Sequence, residues 1–255
     1  EPGLLVRPAW HALESARHED ALNVASQSLE KVGRPLCISL AITSSKTPAT
    51  RKAHAHVEEK LALELVHSLL VVQRVANERL GSIVVQAATP GANDGKSEAA
   101  LVGHFSLHPG AANAAKAAGV GVADGAAAVP SIGTFVVCHA GSSALEPGLE
   151  VRFHCAKGAL VLRREKATWQ ITVTDDRSGA AGQKSIERSV PSVGHNFSRK
   201  AFVEQIQRSA AAGAVPGNAP VDVSVQHALA DTAILESVFS SMRSNGANMG
   251  FKYNS

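Results

Sequence analysis

The chain has 255 residues, enough for one large domain or two small ones, and its 45% hydrophobic and 18% charged residues are typical of a folded globular protein. The net charge of +3 is small and the lysines and arginines are scattered, so a nucleic-acid partner is not indicated. The three cysteines, Cys37, Cys138 and Cys155, are far apart in sequence, and no apolar run approaches the roughly 18 residues of a membrane span. We therefore predict no disulfide framework, no metal site and no membrane segment. We expect a reducing compartment, the cytoplasm or alternatively the mitochondrial matrix.

The first third of the chain predicts a helix, a strand and a second helix. Apolar residues at steps of three and four predict a helix over 9–32, and Gly33 can take the left-handed conformation that ends it. The alternating run 36–42 predicts a strand, followed by a polar loop. A second helix over 57–75 would bury one apolar face, formed by Val57, Leu61, Leu65, Leu69 and Val72.

Strands dominate the middle of the chain. Alternating or apolar runs predict strands at 83–87, 99–107, 134–139, 149–155, 159–164 and 169–174, whereas the polar stretch 177–194 indicates a loop. Residues 111–131, rich in Ala, Gly and Val, predict a flexible insertion, and two further helices are expected over 198–209 and about 224–244. Strands joined by short turns favour an α+β fold. In it, an open-faced, mostly antiparallel or mixed sheet of about six strands carries helices on one face.

One side of the second helix carries side chains suited to proton transfer. Lys60, Glu64 and His67 follow one another at steps of four and three, so they share one face of the predicted helix. His67 could act there as a general acid or base with Glu64 as its partner. The alternative is a solvated ion pair between Lys60 and Glu64 beside a partly buried histidine.

Other candidate residues carry weaker signals. His54 and His56 could bind a metal ion if a third ligand approached, and His195 could face the substrate side of the sheet. The three cysteines lie in predicted strands, where packing in the core is the simplest expectation. The run 119–125 has the spacing Gly-x-Gly-x-x-x-Gly, but no clear strand precedes it, so it lacks the context of a dinucleotide-binding loop.

The order of these elements resembles the C-terminal domain of the Gfo/Idh/MocA oxidoreductases, named for glucose–fructose oxidoreductase and inositol dehydrogenase. Gly33-Arg34-Pro35-Leu36 is similar to the family's entry into the first strand of its sheet. Glu64-Leu65-Val66-His67 resembles its central helix, where the motif ends in a catalytic His. The hairpin 151–162 resembles its Gly-containing strand pair, and residues 228–246 resemble its closing helix.

The resemblance implies a division of the chain. Residues 1–32 would be an N-terminal helix that could be the tail of a missing Rossmann domain. Residues 33–246 would be the C-terminal domain, interrupted by the insertion at 111–131, and 247–255 a tail. NAD or NADP would bind through the missing domain, because the family's Gly-rich loop and Glu-Lys-Pro motif are not found here. We therefore expect this chain alone to bind no cofactor. Its open sheet face would join it to a second protomer or to a larger assembly.

In function, the resemblance implies the C-terminal half of an NAD(P)-dependent oxidoreductase that acts on a sugar, a polyol or a related hydroxy compound. His67, Glu64 and Lys60 would form its catalytic group. The sequence departs from the family's pattern, since Glu64 stands near the place of an Asp and Leu70 occupies the place of another. The alternative is therefore a catalytically degenerate subunit with a structural or scaffold role.

Overall fold

A computed structural model describes residues 19–44, 54–88, 100–109, 129–139, 148–176, 184–192 and 223–251. Within these ranges the helices are α1 (Asp20–Val32), α2 (His54–Ala76) and α3 (Val223–Arg243). The strands are β1 (Pro35–Ser44), β2 (Glu78–Ala88), β3 (Ala100–Pro109), β4 (Ser131–His139), β5 (Gly148–Cys155), β6 (Gly158–Glu165), β7 (Thr168–Asp175), β8 (Lys184–Pro191) and β9 (Met249–Gly250). Residues 9–18 of the first predicted helix, the helix over 198–209 and most of the 111–131 insertion lie outside the described residues.

The described strands form a single open sheet in the order β8-β7-β6-β5-β1-β4-β3-β2-β9. Every neighbouring pair is antiparallel except β1 and β4, which run parallel. The parallel pair arises because the chain leaves β1 through α2, forms the β2–β3 pair, and returns as β4 beside β1. The predicted mostly antiparallel, mixed sheet in an α+β fold is confirmed.

All three described helices lie on one face of the sheet, as predicted. Helix α1 packs on β6, β7 and β8, α2 on β1 to β4, and α3 on β2 and β9. Burial in β1 alternates, with Ile38, Leu40 and Ile42 buried beneath the helices, because successive side chains of a strand point to opposite faces. The largest side chains of this core are Trp169, Phe105, Phe135 and Phe153.

The other face of the sheet, which we call the open face, is uncovered by any described element. Ile132 and Val136 of β4 are 56% and 49% exposed there. A bulge between Pro35 and Cys37 breaks the alternation of β1, so that Leu36 and Cys37 are both exposed. The expectation that Cys37 packs in the core is therefore wrong. The spacing of the strand residues cannot reveal a bulge.

Strand β8 corrects the sequence analysis, which placed 184–191 in a loop and expected about six strands. It is an edge strand paired only with β7, and residues 185–189 are all exposed. Because residues 185–189 are exposed, the sequence of this strand shows no clear apolar alternation, and backbone hydrogen bonds to β7 hold it in the sheet. Its charged side chains are typical of edges that avoid pairing with other chains.

The opposite edge, β2, is closed by the chain itself. Residues 249–250, which the sequence analysis placed in a tail, form β9 and pair with Ser82 and Ile83. Beyond β9 the buried hydroxyl of Ser241 accepts a hydrogen bond from the Val85 backbone N–H at 2.9 Å and donates to the Ala247 carbonyl at 2.7 Å. Ser241 thus satisfies an edge amide that would otherwise be buried without a partner.

Within the described part of the chain, no helix is both long enough and apolar enough to cross a membrane.

Candidate functional site

The three predicted site residues lie along the rim of α2, between its buried and its exposed sides. Leu61 and Leu65 are fully buried against the sheet, as the apolar period of the helix predicts. The side chains of Lys60 and Glu64 are 33% and 29% exposed. His67, three residues further on, is exposed. Of the alternative, the ion pair between Lys60 and Glu64 is found, whereas the partly buried histidine is not.

Glu64 is held by two partners that reach the same oxygen atom. The Ser44 hydroxyl donates to Glu64 Oε1 at 2.9 Å, and Lys60 Nζ lies 3.9 Å from that atom. The ion pair with Lys60 follows from the i, i+4 spacing, and pairs of this kind contribute about 0.3–0.5 kcal/mol. Both contacts are made by Oε1, and no described residue donates a hydrogen bond to Oε2.

Ser44 is the site residue that the sequence analysis missed. It is the last residue of β1 and is 1% exposed, and a buried hydroxyl nearly always has a hydrogen-bond partner. A serine between a strand and a polar loop looks like an ordinary turn residue, so the sequence carries no signal for this role. The packing of α2 over β1 brings Ser44 and Glu64 together across 20 residues of chain.

The remaining sequence candidates do not join this site. His54 and His56 begin α2, but their side chains lie outside the described residues, as does all of His195. Among the described side chains, no group of three His, Cys, Asp or Glu residues is arranged to hold a metal ion.

The three cysteines are free thiols in three different surroundings. Cys37 is exposed on the open face, whereas Cys138 and Cys155 are half-buried. Cys138 Sγ lies 4.0 Å from Thr43 Oγ1, close to the strand end that carries Ser44. Burial raises the pKa of the Cys155 thiol to about 11, which keeps it protonated at neutral pH.

A second charged cluster lies on the open face, where β5 pairs with β6. Arg152 Nε donates to Glu150 Oε1, and Arg163 Nε donates to Glu150 Oε2 at 2.5 Å. Partial burial raises the pKa of Glu150, but the hydrogen bonds from Arg152 and Arg163 outweigh this and hold it below the ordinary carboxyl value.

No model of a protein family matches this sequence, and no characterised protein matches it by sequence. Solved structures do match it in fold. An oxidoreductase from Sinorhizobium meliloti has a TM-score of 0.58 at 10% identity, over 94% of this chain and 64% of that one. The aldose-aldose oxidoreductase from Caulobacter crescentus has a TM-score of 0.54 at 11% identity, over 93% and 62%. A super-repressor mutant of Gal80p from Saccharomyces cerevisiae has a TM-score of 0.55 at 11% identity, over 94% and 64%.

Identities this low show the fold alone. This chain spans a little under two thirds of the length of these structures. The resemblance to the C-terminal domain of the Gfo/Idh/MocA oxidoreductases is confirmed at the level of the fold.

Proposed function

We propose that this chain is the substrate-binding half of an NAD(P)-dependent oxidoreductase that acts on a sugar, a polyol or a related hydroxy compound. The observation that carries the proposal is Glu64, a carboxylate that Ser44 and Lys60 contact at one oxygen and that receives no hydrogen bond from a described residue at the other. A carboxylate fixed in this way can accept a hydrogen bond from a substrate hydroxyl. The fold that this chain shares with an aldose-aldose oxidoreductase supports the same class of substrate.

The residues of this chain would bind the substrate and move its proton. Oxidation of an alcohol removes a hydride from carbon and a proton from oxygen, and an imidazole can take that proton near neutral pH. His67 would be the acid or base, because it is exposed on the helix that carries Glu64. Lys60 and Glu64 would hold the neighbouring hydroxyls.

The described residues do not fit a nicotinamide dinucleotide. Such a site needs a strand, a Gly-rich turn and a helix N-terminus within a parallel sheet. Here β1 leads into residues 45–53, which contain no glycine, and among described strands only β1 and β4 run parallel. The cofactor would therefore belong to a separate domain or chain.

Ligand binding to the chain tests the site directly. Glycerol, D-glucose and myo-inositol would be titrated while the imidazole signals of His67 are followed by NMR. We expect saturable shifts with the ligand that fits, and roughly tenfold weaker binding in Glu64→Gln, because a hydrogen bond to a charged acceptor is lost. Glu187→Gln on the exposed edge strand is the matched control. Absence of shifts with all three probes, or equal binding by Glu64→Gln, would contradict the proposal.

In the complete oxidoreductase, the role of His67 has a kinetic test. Both His67→Ala and His67→Asn should lower kcat about a hundred- to ten-thousandfold, since neither side chain can exchange a proton near neutral pH. The melting temperature should not change, because His67 is exposed. Turnover that survives both substitutions would exclude His67 as the acid or base.

A second candidate function is a catalytically degenerate subunit with a structural role. Leu70 favours it, since an apolar side chain follows His67 where the resemblance implies a carboxylate. A super-repressor form of Gal80p shares the fold, which supports non-catalytic use of such a chain. Failure of all three probes to bind, in a chain that still assembles, would favour this second function.

Either function includes assembly through the open face, for which we propose a second copy of this chain as the partner. The eight long strands, about 4.8 Å apart and roughly eight residues long, present on the order of 1,000 Å². A standard interface needs about 800 Å² from each partner. The charged strand residues on this face also balance, which removes net repulsion between two copies: Arg79, Arg152 and Arg163 against Glu150, Glu165 and Glu187. Sedimentation of a monomer at micromolar concentration would refute this assembly.

A further inference from the structure

An exposed leucine lies beside the group formed by Lys60, Glu64 and His67. Leu63 of α2 is 45% exposed, and among the described residues it is the one large apolar side chain that lies exposed in a helix. The other exposed large apolar side chains of the described chain lie on strands or just before one: Leu36, Val129, Ile132, Val136 and Ile186. An apolar side chain next to the candidate ligand site bears on which ligand fits there.

Helical spacing places Leu63 on the side of His67 that Glu64 does not occupy. Because each residue of an α-helix turns by about 100°, Glu64 lies about 60° to one side of His67 and Leu63 about 40° to the other. Leu70, three residues after His67, lies on the same side as Leu63 and is half-buried against the core. We call Leu63 and Leu70 the apolar pair. His67 therefore lies between a polar group on one side and the apolar pair on the other.

The two sides of His67 would meet different parts of a substrate. In the proposed function His67 takes the proton of the reacting hydroxyl, and Glu64 accepts a hydrogen bond from a neighbouring hydroxyl. The substituent on the other side of the reacting carbon would then lie against the apolar pair. A hydroxyl placed there loses water without gaining a hydrogen bond from the leucines, which is unfavourable. A methyl or methylene group at the same place gains free energy by leaving water.

We propose that the apolar pair selects a deoxy substrate, a sugar or related hydroxy compound that carries a methyl or methylene group on one side of the reacting carbon. This inference rests on the proposed function and narrows its class of substrate. Leu70, which stands where the resemblance implies a carboxylate, would then change the specificity of the site without removing its acid or base. Leu63, which is more exposed, would make the larger contact with the substrate.

Matched pairs of ligands test the preference. D-Glucose would be compared with 2-deoxy-D-glucose and 6-deoxy-D-glucose, and glycerol with 1,2-propanediol, while the imidazole signals of His67 are followed by NMR. Within each pair a single hydroxyl is replaced by hydrogen. We expect at least one deoxy probe to bind about tenfold tighter than its parent compound, because one apolar group in an apolar contact changes affinity by about this factor.

Two substitutions of Leu63 test its part in this preference. Leu63→Asn is polar and similar in size, and it should weaken binding of the deoxy probe about tenfold while binding of the parent compound is unchanged. Leu63→Met stays apolar and should keep the preference. Ile186→Asn is the matched control, because Ile186 is also 45% exposed but lies on the edge strand β8, four strands from β1. It should leave the preference unchanged.

The outcomes separate this inference from the proposed function. Deoxy probes that bind no tighter than their parent compounds would overturn the inference, as would a preference that survives Leu63→Asn or is lost in Ile186→Asn. The proposed function stands in each of these cases if Glu64→Gln still weakens binding of the parent compounds. Failure of every probe to bind would overturn both.

Discussion

Two glycines let phenylalanine rings pack between β3 and β4 in the core. Phe105 lies opposite Gly133, and Gly103 opposite Phe135, so each ring occupies the space that a missing side chain leaves on the neighbouring strand. A Cβ atom at Gly133 would stand 2.1 Å from Phe105 Cζ. The need for glycine at Gly133 therefore comes from packing against a buried ring.

The variant Gly133→Ala should destabilise the protein by about 1–3 kcal/mol, the usual cost of overpacking a core. Urea unfolding measures this loss in the free energy of unfolding. Gly250→Ala is the matched control, since a Cβ there has nothing within 4 Å, and its effect should stay within about 0.5 kcal/mol. If both variants are equally stable, the packing account of Gly133 is wrong.

Cys155 should resist alkylation in the folded protein. With its pKa raised to about 11 by burial, the reactive thiolate at pH 8 is on the order of a thousandth of the total. We expect labelling by iodoacetamide, followed by mass spectrometry, to be at least about a hundredfold slower than in the urea-unfolded chain. Comparable rates in the two states would show that the thiol is not protected.

At the scale of elements, the stability of the sheet depends on how its edge at β2 is closed. Strand β9 covers only Ser82 and Ile83, and α3 continues the protection through Ser241. Because Ser241 protects the part of β2 that β9 does not reach, a serine is buried in a helix that otherwise contributes Ile234 and Val238 to the core.

Replacement of Ser241 by Ala should cost about 1–3 kcal/mol, because the buried Val85 N–H loses its hydrogen-bond partner. The control is Ser237→Ala on the same helix, whose exposed hydroxyl bonds only to the Ala233 carbonyl. That change should be close to neutral. If Ser241→Ala loses no more unfolding free energy than the control, Ser241 does not stabilise the edge of the sheet.

The pairing of β5 with β6 should depend on pH through Glu150. Because its folded pKa is lowered, its contribution is present above the unfolded carboxyl pKa and is lost as pH falls through the folded value. Glu150→Gln should cost roughly 0.5–1 kcal/mol at pH 7, given the half-exposed arginines. The difference from the parent, followed by urea unfolding, should disappear at acidic pH. A difference that is constant from pH 7 to pH 3 would contradict this account.

At the scale of the whole molecule, the two faces of the sheet differ, because the described helices cover only one of them. The helices lie on one face of the sheet, so in the proposed function the rim of α2 would bind the ligand on that side and the open face would meet the partner. A ligand site and an assembly surface on opposite sides of one sheet can operate without competing for the same residues.

The chain by itself should not bind NAD(H) or NADP(H). Its described strands and helices lack the turn that would offer backbone amides to a pyrophosphate. Titration of residues 1–255 with NADH, followed by nucleotide fluorescence, should show no micromolar dissociation constant. Measurable binding would place a cofactor site in this chain and refute the division proposed here.

Much of the fold could be predicted because its signals are local. The apolar period of α2 and the alternation in β1 and β3 come from residues a few positions apart, and they determined the α+β class. The placing of Lys60, Glu64 and His67 near one another on α2 followed from the same helical spacing. The Lys60–Glu64 ion pair, which the alternative of a solvated pair predicted, is found.

Tertiary structure alone decided the features that depend on register and on edges. Strand β8 exists because β7 supplies its hydrogen bonds, and Cys37 is exposed because a bulge shifts β1. The contacts of Glu64 with Ser44 and of Ser241 with Val85 join residues 20 and 156 positions apart, which no local pattern records. The sequence by itself determined the helices and the strands of the core, and which face of α2 carries the polar group. Only the packed sheet determined which groups these side chains touch, because those contacts depend on how distant segments align.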